Sequence, residues 1–141
     1  MSAASFPFAP GETLPVVQLP ATARIDLIKY AGASGDFNPI HTIDEAAAAA
    51  GLPGVIQHGM LTAAKICSLF SPYLEEGFVS LVEVRFAAMV AVGDALTVTG
   101  RITEVSTNGA TRSARVEVVV RNQNDQVAVL GITEFTEIAP R

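Results

Sequence analysis

The sequence predicts an α+β domain in which an antiparallel sheet wraps one buried helix, and three observations carry that prediction. The stretch Gly59 to Phe70 has helical composition and is apolar round most of its circumference, interrupted only by Thr62, Lys65 and Ser68. From Val82 onward the chain alternates apolar and polar residues with period two in four successive runs. Turn signals separate those runs at Gly93-Asp94, Asn108-Gly109 and Asn122 to Asp125.

Taken in order, Val16, Val17 and Leu19 between Pro15 and Pro20 predict a short edge strand, because proline cannot donate to a ladder. Thr22 is a suitable N-cap for a helix over Arg24 to Ala33, with Ile25, Leu27, Ile28 and Ala31 at helical spacing and Gly35 to release the chain. A second helix is expected from Pro39 through the alanines Ala46 to Ala50, stopping at Gly51. The buried helix Gly59 to Phe70 should end at Ser71-Pro72.

The strands follow. Val82, Val84 and Phe86 share a face against Glu83 and Arg85; Leu96, Val98 and Ile102 oppose Thr97, Thr99, Arg101 and Thr103. Val116, Val118 and Val120 alternate with Arg115, Glu117 and Arg121, and Val127 to Glu137 forms the last strand. The simplest arrangement is a meander with hairpin connections. The pattern by itself permits several folds of this class.

With 141 residues the chain fits one domain, residues 1–141, with 1–12 expected as a loose N-terminal arm. Half the residues are hydrophobic and 16% charged, which suggests that part of the surface is covered by another subunit. A formal charge of −5 argues against nucleic acid as a partner. The single Cys67 cannot make an intrachain disulfide, which fits a reducing, cytoplasmic setting. Met1 to Pro10 has neither the basic residues nor the apolar run of a targeting segment, and no apolar stretch reaches the roughly 18 residues of a membrane span. No metal-ligand spacing and no phosphate-binding glycine loop is present, so neither metal nor cofactor is implied.

Chemistry concentrates in Ser34-Gly35-Asp36-Phe37-Asn38-Pro39-Ile40-His41. Asn38-Pro39 is a helix start, which would place His41 in a first helical turn, at the positive end of a dipole that favours a neutral imidazole. Asp36 lies just outside, and Pro39 forces a turn between the two side chains. Spacing alone suits two readings equally, an acid–base pair facing one cavity or ordinary turn and capping chemistry beside a core histidine.

Tyr30-Ala31-Gly32-Ala33-Ser34-Gly35-Asp36-Phe37-Asn38-Pro39-Ile40-His41, followed by His58-Gly59-Met60-Leu61, closely resembles the signature of the MaoC-like, R-specific enoyl-thioester hydratases. The resemblance implies the hotdog fold, a curved antiparallel sheet around a long central helix, with Gly59 to Phe70 as that helix. It implies reversible hydration of trans-2-enoyl thioesters to (3R)-3-hydroxyacyl thioesters, with Asp36 and His41 acting on one water and no cofactor. The thioester oxygen gathers negative charge as water adds, and the backbone N–H of Gly59, unpaired at the start of a helix, is the matching donor. Asn38 is assigned to capping and to the substrate site, and His58 and Met60 to the substrate site, with His58 at the entrance.

The resemblance further implies a coenzyme A or acyl-carrier-protein thioester as partner and a homodimer, a heterodimer being the alternative. Lys65, Arg85, Arg112 and Arg115 are candidate phosphate contacts, each better explained as a solvated surface charge. Ser34 lacks the context of a nucleophile elbow, and Cys67 reads as a small buried hydrophobe. The rival functions are a hotdog thioesterase, which would direct water at the thioester carbonyl, and an acyl-binding subunit of a heterodimeric dehydratase. One departure concerns Arg85-Phe86-Ala87-Ala88-Met89, where the family often has a proline after Arg-Phe; it leaves the geometry of that strand end open.

Overall fold

The structure, a computed structural model, describes residues 6–138. Its elements are β1 (Val17–Gln18), α1 (Arg24–Ser34), a 3₁₀ turn (Pro39–His41), α2 (Asp44–Ala49), α3 (Gly59–Ile66), a 3₁₀ segment (Cys67–Tyr73) and four long strands, β2 (Gly77–Phe86), β3 (Thr97–Asn108), β4 (Thr111–Arg121) and β5 (Val127–Glu137). The sheet is antiparallel in the order β1-β3-β4-β5-β2.

That order corrects the expected meander. β3, β4 and β5 do follow one another through hairpins, but β2 pairs with β5 and not with β3. Gly93-Asp94 is therefore a turn within a crossing from one sheet edge to the other, where Gly93 N–H bonds the Thr22 carbonyl at 2.8 Å. Period-two alternation identifies strands and their faces, but neighbours are selected by what each strand must cover.

The alternation places Val98, Ile102, Ala114, Val116, Val118, Val120, Val129 and Phe135 on the inner face, all buried. They close on Ile66, Leu69 and Phe70 of the central helical segment, where the Phe70 and Phe135 rings stack at 5.6 Å. Two glycines admit this close packing. A Cβ on Gly100 would lie 3.0 Å from Leu69, and one on Gly131 would lie 2.6 Å from the Glu83 carbonyl. The central segment changes at Cys67 from α to 3₁₀ geometry and runs on through Pro72 to Tyr73, past the Ser71-Pro72 stop expected for it. Proline is tolerated there because the tighter turn is already ending the α-type ladder.

The loose arm is the second correction. Residues 1–5 lie outside the described residues, but Phe6 and Phe8 are buried in the main core, and Phe8 meets Phe70, Tyr73 and Phe135 edge to face. Gly11 N–H and Leu14 N–H then bond the carbonyls of Ile102 and Gly100, so the segment is tied to the edge of β3. The two phenylalanines supply the apolar area that a loose arm would lack.

Two local differences matter for the site. Thr22 does not cap α1. Ala23 occupies that position, Asp26 Oδ2 accepts from its N–H at 3.0 Å, and the Thr22 hydroxyl is free for another partner. The helix expected from Pro39 to Ala50 is split into the short 3₁₀ turn and α2, because Thr42 and Ile43 leave helical geometry. Among the described residues no helix is long and apolar enough to cross a membrane.

Candidate active site

The approach to the site is built by short-range hydrogen bonds. Gly35 closes α1 in the left-handed conformation, at φ 76°, which favours glycine. Ser34 Oγ donates to the Tyr30 carbonyl at 2.7 Å and accepts from Asp36 N–H at 3.1 Å, so this serine shapes backbone and is no nucleophile. Asp36 Oδ1 accepts from Asn38 N–H at 3.2 Å, and Asn38 Oδ1 accepts from Ile40 N–H at 3.3 Å. Asn38 thus caps the 3₁₀ turn, and Asp36 is left with Oδ2 free to face the site.

Asp36 Oδ2 stands 3.8 Å from His41 Nε2, with the carboxylate side chain 51% exposed and the imidazole buried. The gap is too long for a direct hydrogen bond and suits a shared water. His41 Nδ1 lies 2.7 Å from the Ile56 carbonyl. A carbonyl only accepts, so Nδ1 carries the proton and Nε2 of the neutral ring is an acceptor directed toward Asp36. His41 does not sit in the first turn of an α-helix as expected, since its turn is three residues long. The ring's orientation comes from Ile56.

His58 is 1% exposed and lies behind His41, away from the entrance position expected for it. Its ring stacks on His41 with centroids 3.8 Å apart, meets the Tyr30 ring edge to face at 4.8 Å, and its Nε2–H donates to the Asp36 carbonyl at 3.2 Å. His58 Nδ1 is buried with no hydrogen-bond partner. This histidine therefore clasps the Asp36 backbone and backs the His41 ring.

Asp36, His41 and His58 each offer a metal-ligating atom within 4.8 Å of the others. The two rings lie nearly parallel, 21° apart, so their in-plane lone pairs run side by side instead of converging on one ion. The arrangement suits ring packing.

A cleft of about 360 Å³ opens beside His41, lined by Gln57, Gly59, Thr62, Phe86, Met89 and Val129 among others. Gly59 begins α3, so its N–H has no acceptor within the helix, and an added Cβ would lie 3.2 Å from the Phe86 ring. Glycine thus lets the Phe86 ring lie close over the helix start. The strand carrying Phe86 ends there without the proline, because Ala87 and Ala88 N–H groups both turn onto the Ala128 carbonyl. Met60 is 61% exposed and does not line the cleft.

Sequence reasoning missed Gln57 and Thr62, both buried at the cleft wall, and Tyr30 as the support of His58. A glutamine immediately before His58-Gly59 in an otherwise apolar run was the available signal. The candidate phosphate contacts do not gather. Lys65 lines a groove between α1 and α3, Arg85 lies on the outer face of the sheet, and Arg112 pairs with Glu137 through Nε to Oε2 at 2.9 Å. Cys67 is half-buried, and burial pushes its thiol up, away from reactivity.

Comparison with known proteins adds the family. Residues 6–126 match the MaoC like domain. The chain is 32% identical over 112 residues to the fatty acid synthase subunit beta of Saccharomyces cerevisiae and 40% identical over 77 residues to that of Aspergillus oryzae. These cover 77% and 52% of this chain but only 5% and 4% of those relatives, so the likeness is to one small part of much longer proteins. Among solved structures, the R-hydratase PhaJ1 from Pseudomonas aeruginosa superposes with a TM-score of 0.82 at 26% identity, covering 94% of this chain and 84% of that one. The (R)-hydratase from A. caviae involved in PHA biosynthesis superposes at 0.81 with 22% identity, covering 93% and 98%, and shares the fold. A sheet curled round one central helical segment, with the Asp36–His41 motif and the His58-Gly59 helix start beside it, is thus the hotdog fold of a chain that belongs to the MaoC-like hydratase and dehydratase family.

Proposed function

We propose that this protein reversibly hydrates trans-2-enoyl thioesters to (3R)-3-hydroxyacyl thioesters, the acyl group being carried by coenzyme A or an acyl carrier protein. The observation that carries the reading is the pairing of an acceptor Nε2 on His41 with Asp36 Oδ2 across 3.8 Å, next to a cleft that also holds Gly59. A water held between the two groups gives up a proton to the pair as its oxygen adds to C3. The pair returns a proton to C2, so the sum is the addition of one water across the double bond. Gly59 N–H stabilises the enolate-like oxygen of the thioester. The names of the similar (R)-hydratases support the stereochemical outcome.

A dimer belongs to the same proposal. Among the described residues the outer edge of β2 has no neighbour in the sheet, and Val82 and Phe86, on the face that carries the core residue Val84, stay exposed although Phe86 lies over the start of the central helix. With the exposed Met89 they extend an apolar surface from the cleft wall, suited to a second copy. A structure of similar fold is a ChsH1-ChsH2 complex from Mycobacterium tuberculosis, which makes the heterodimer the alternative.

The test is hydration of crotonyl-CoA, followed by loss of the conjugated-enoyl absorbance and assignment of the product's configuration. Formation of (3R)-hydroxybutyryl-CoA that is lost in Asp36→Asn is expected. Release of free thiol from saturated acyl-CoA instead would make the protein a thioesterase.

A further inference from the structure

Of the four consecutive residues Ile56 to Gly59, three each meet one part of the site. The Ile56 carbonyl accepts from His41 Nδ1–H at 2.7 Å, His58 Nε2–H donates to the Asp36 carbonyl at 3.2 Å, and Gly59 opens α3 at the cleft wall. Gln57 differs from its neighbours, because neither its backbone nor its side chain bonds Asp36 or His41. Its backbone N–H bonds the Val90 carbonyl at 2.7 Å, which fixes the strip to the segment after β2.

The Gln57 side chain is buried and hydrogen-bonded through both its oxygen and its nitrogen. Oε1 accepts from Thr22 Oγ1 at 3.0 Å and from Lys65 Nζ at 2.9 Å, while Nε2 donates to Thr62 Oγ1 at 2.7 Å. Thr62 Oγ1 reaches on to the His58 carbonyl at 3.5 Å. One amide thus joins the loop before α1, the residue preceding the helix start, and the first and second turns of α3. Lys65 loses hydration to take part, and burial pushes its ammonium below the ordinary value of 10.5 against the opposing pull of Asp26. Burying Thr22, Gln57 and Thr62 beside the half-buried Lys65 is costly unless each is satisfied, and an apolar residue at position 57 would strand two hydroxyls and an ammonium. What the amide supplies is direction.

We propose that Gln57 is a positioning residue: its amide, held by Thr22, Lys65 and Thr62, sets the strip Ile56–Gly59 against the first turns of α3 and so aims His41 Nε2 and Gly59 N–H into the cleft. The kinetic consequence rests on the hydratase reading above, whereas the geometric one does not.

The experiment compares Gln57→Leu, Gln57→Glu and Lys65→Met with wild type. It measures kcat and KM for enoyl-thioester hydration, the thermal midpoint, and the downfield NMR signal of the His41 Nδ1 proton bound to Ile56. Gln57→Leu is expected to lower kcat about 10-fold or more with KM changed by no more than about twofold, since small misplacements of reacting groups carry large kinetic costs. Its His41 proton signal should shift or broaden. Gln57→Glu keeps acceptors for Thr22 and Lys65 and can accept from Thr62, so it should restore most of the turnover and a near-native signal. A Gln57→Leu protein that only melts earlier, with kcat and the His41 signal unchanged, overturns the proposal. If that variant does not fold, Lys65→Met removes one donor to the same oxygen and must show the same changes in smaller measure, or the proposal fails. Should wild type hydrate no enoyl thioester, the hydratase reading falls, and the His41 signal in the variants still decides the role of Gln57.

Discussion

The half of the molecule built by β3, β4 and β5 and the half built by α1, α2 and the start of α3 are held together by different forces. The first is almost wholly apolar inside, its buried polar side chain being Thr133, which leans on the Val116 carbonyl. The second has a small apolar cluster of Leu27, Ala47 and Val55 and most of the buried polar side chains, Thr22, His41, Gln57, His58 and Thr62. Hydrophobic burial is non-directional and supplies stability, whereas hydrogen bonds supply little net stability but fix atoms in place. Substitutions on the sheet side should therefore change how well the chain folds, and substitutions on the site side should change what the folded chain does.

The largest expected effect tests the site side. Asp36→Asn and His41→Ala should each lower hydration of an enoyl thioester by roughly 10²–10⁴-fold, the usual contribution of general acid–base groups, with the thermal midpoint of the exposed Asp36→Asn near that of wild type. Loss of only a few-fold in either would separate that residue from the chemistry. On the sheet side, Phe135→Ala removes a fully buried ring packed on Phe8 and Phe70 and should cost about 3–5 kcal/mol in denaturant unfolding. The activity of the molecules that remain folded should be unchanged, and a selective loss of kcat would break the division.

Gly59→Ala lies on the boundary. The added methyl meets Phe86 at 3.2 Å, so the ring must give way over the cleft. Turnover should fall roughly 10-fold while stability changes by no more than about 1 kcal/mol, because alanine favours the helix that crowding disfavours. Native stability with native turnover would show that Phe86 moves freely and that Gly59 serves packing alone.

The smallest effect concerns pH. The hydrogen bond from Arg112 holds the Glu137 carboxyl below its ordinary value of 4.5. A depressed folded value means that this stabilisation is present above the unfolded value and is lost as pH falls through the folded one. The thermal midpoint of wild type should exceed that of Glu137→Gln by a constant, small margin from pH 7 to pH 5, and the margin should close at lower pH. A margin that persists in acid would assign the effect to packing beneath Phe6, over which Arg112 also sits.

How much was legible divides along the same line. The alternation of Val116, Val118 and Val120 and the apolar girth of the central segment identified sheet, face and core helix, because burial writes a period into sequence. Residues 6–12 misled because two phenylalanines without a repeating pattern leave no such period. The place of β2 beside β5 was equally hidden, since alternation is the same whichever neighbour a strand takes. At the site, the sequence showed that Asp36, Asn38 and Pro39 make a turn before His41, and local hydrogen bonds bear that turn out.

By itself, then, the amino-acid sequence determined the fold class, the inner and outer faces of the sheet, and the sharp turn joining Asp36 to His41, all of which follow from interactions between residues close in the chain or from simple periodicity. Only the tertiary structure decided that Ile56, fifteen positions beyond His41, sets its tautomer, that His58 stands behind that ring, and that Gln57 joins Thr22 to Lys65. Those contacts are between residues distant in sequence, and a hydrogen bond between distant partners leaves no periodic trace because it needs one residue of the right chemistry in one place.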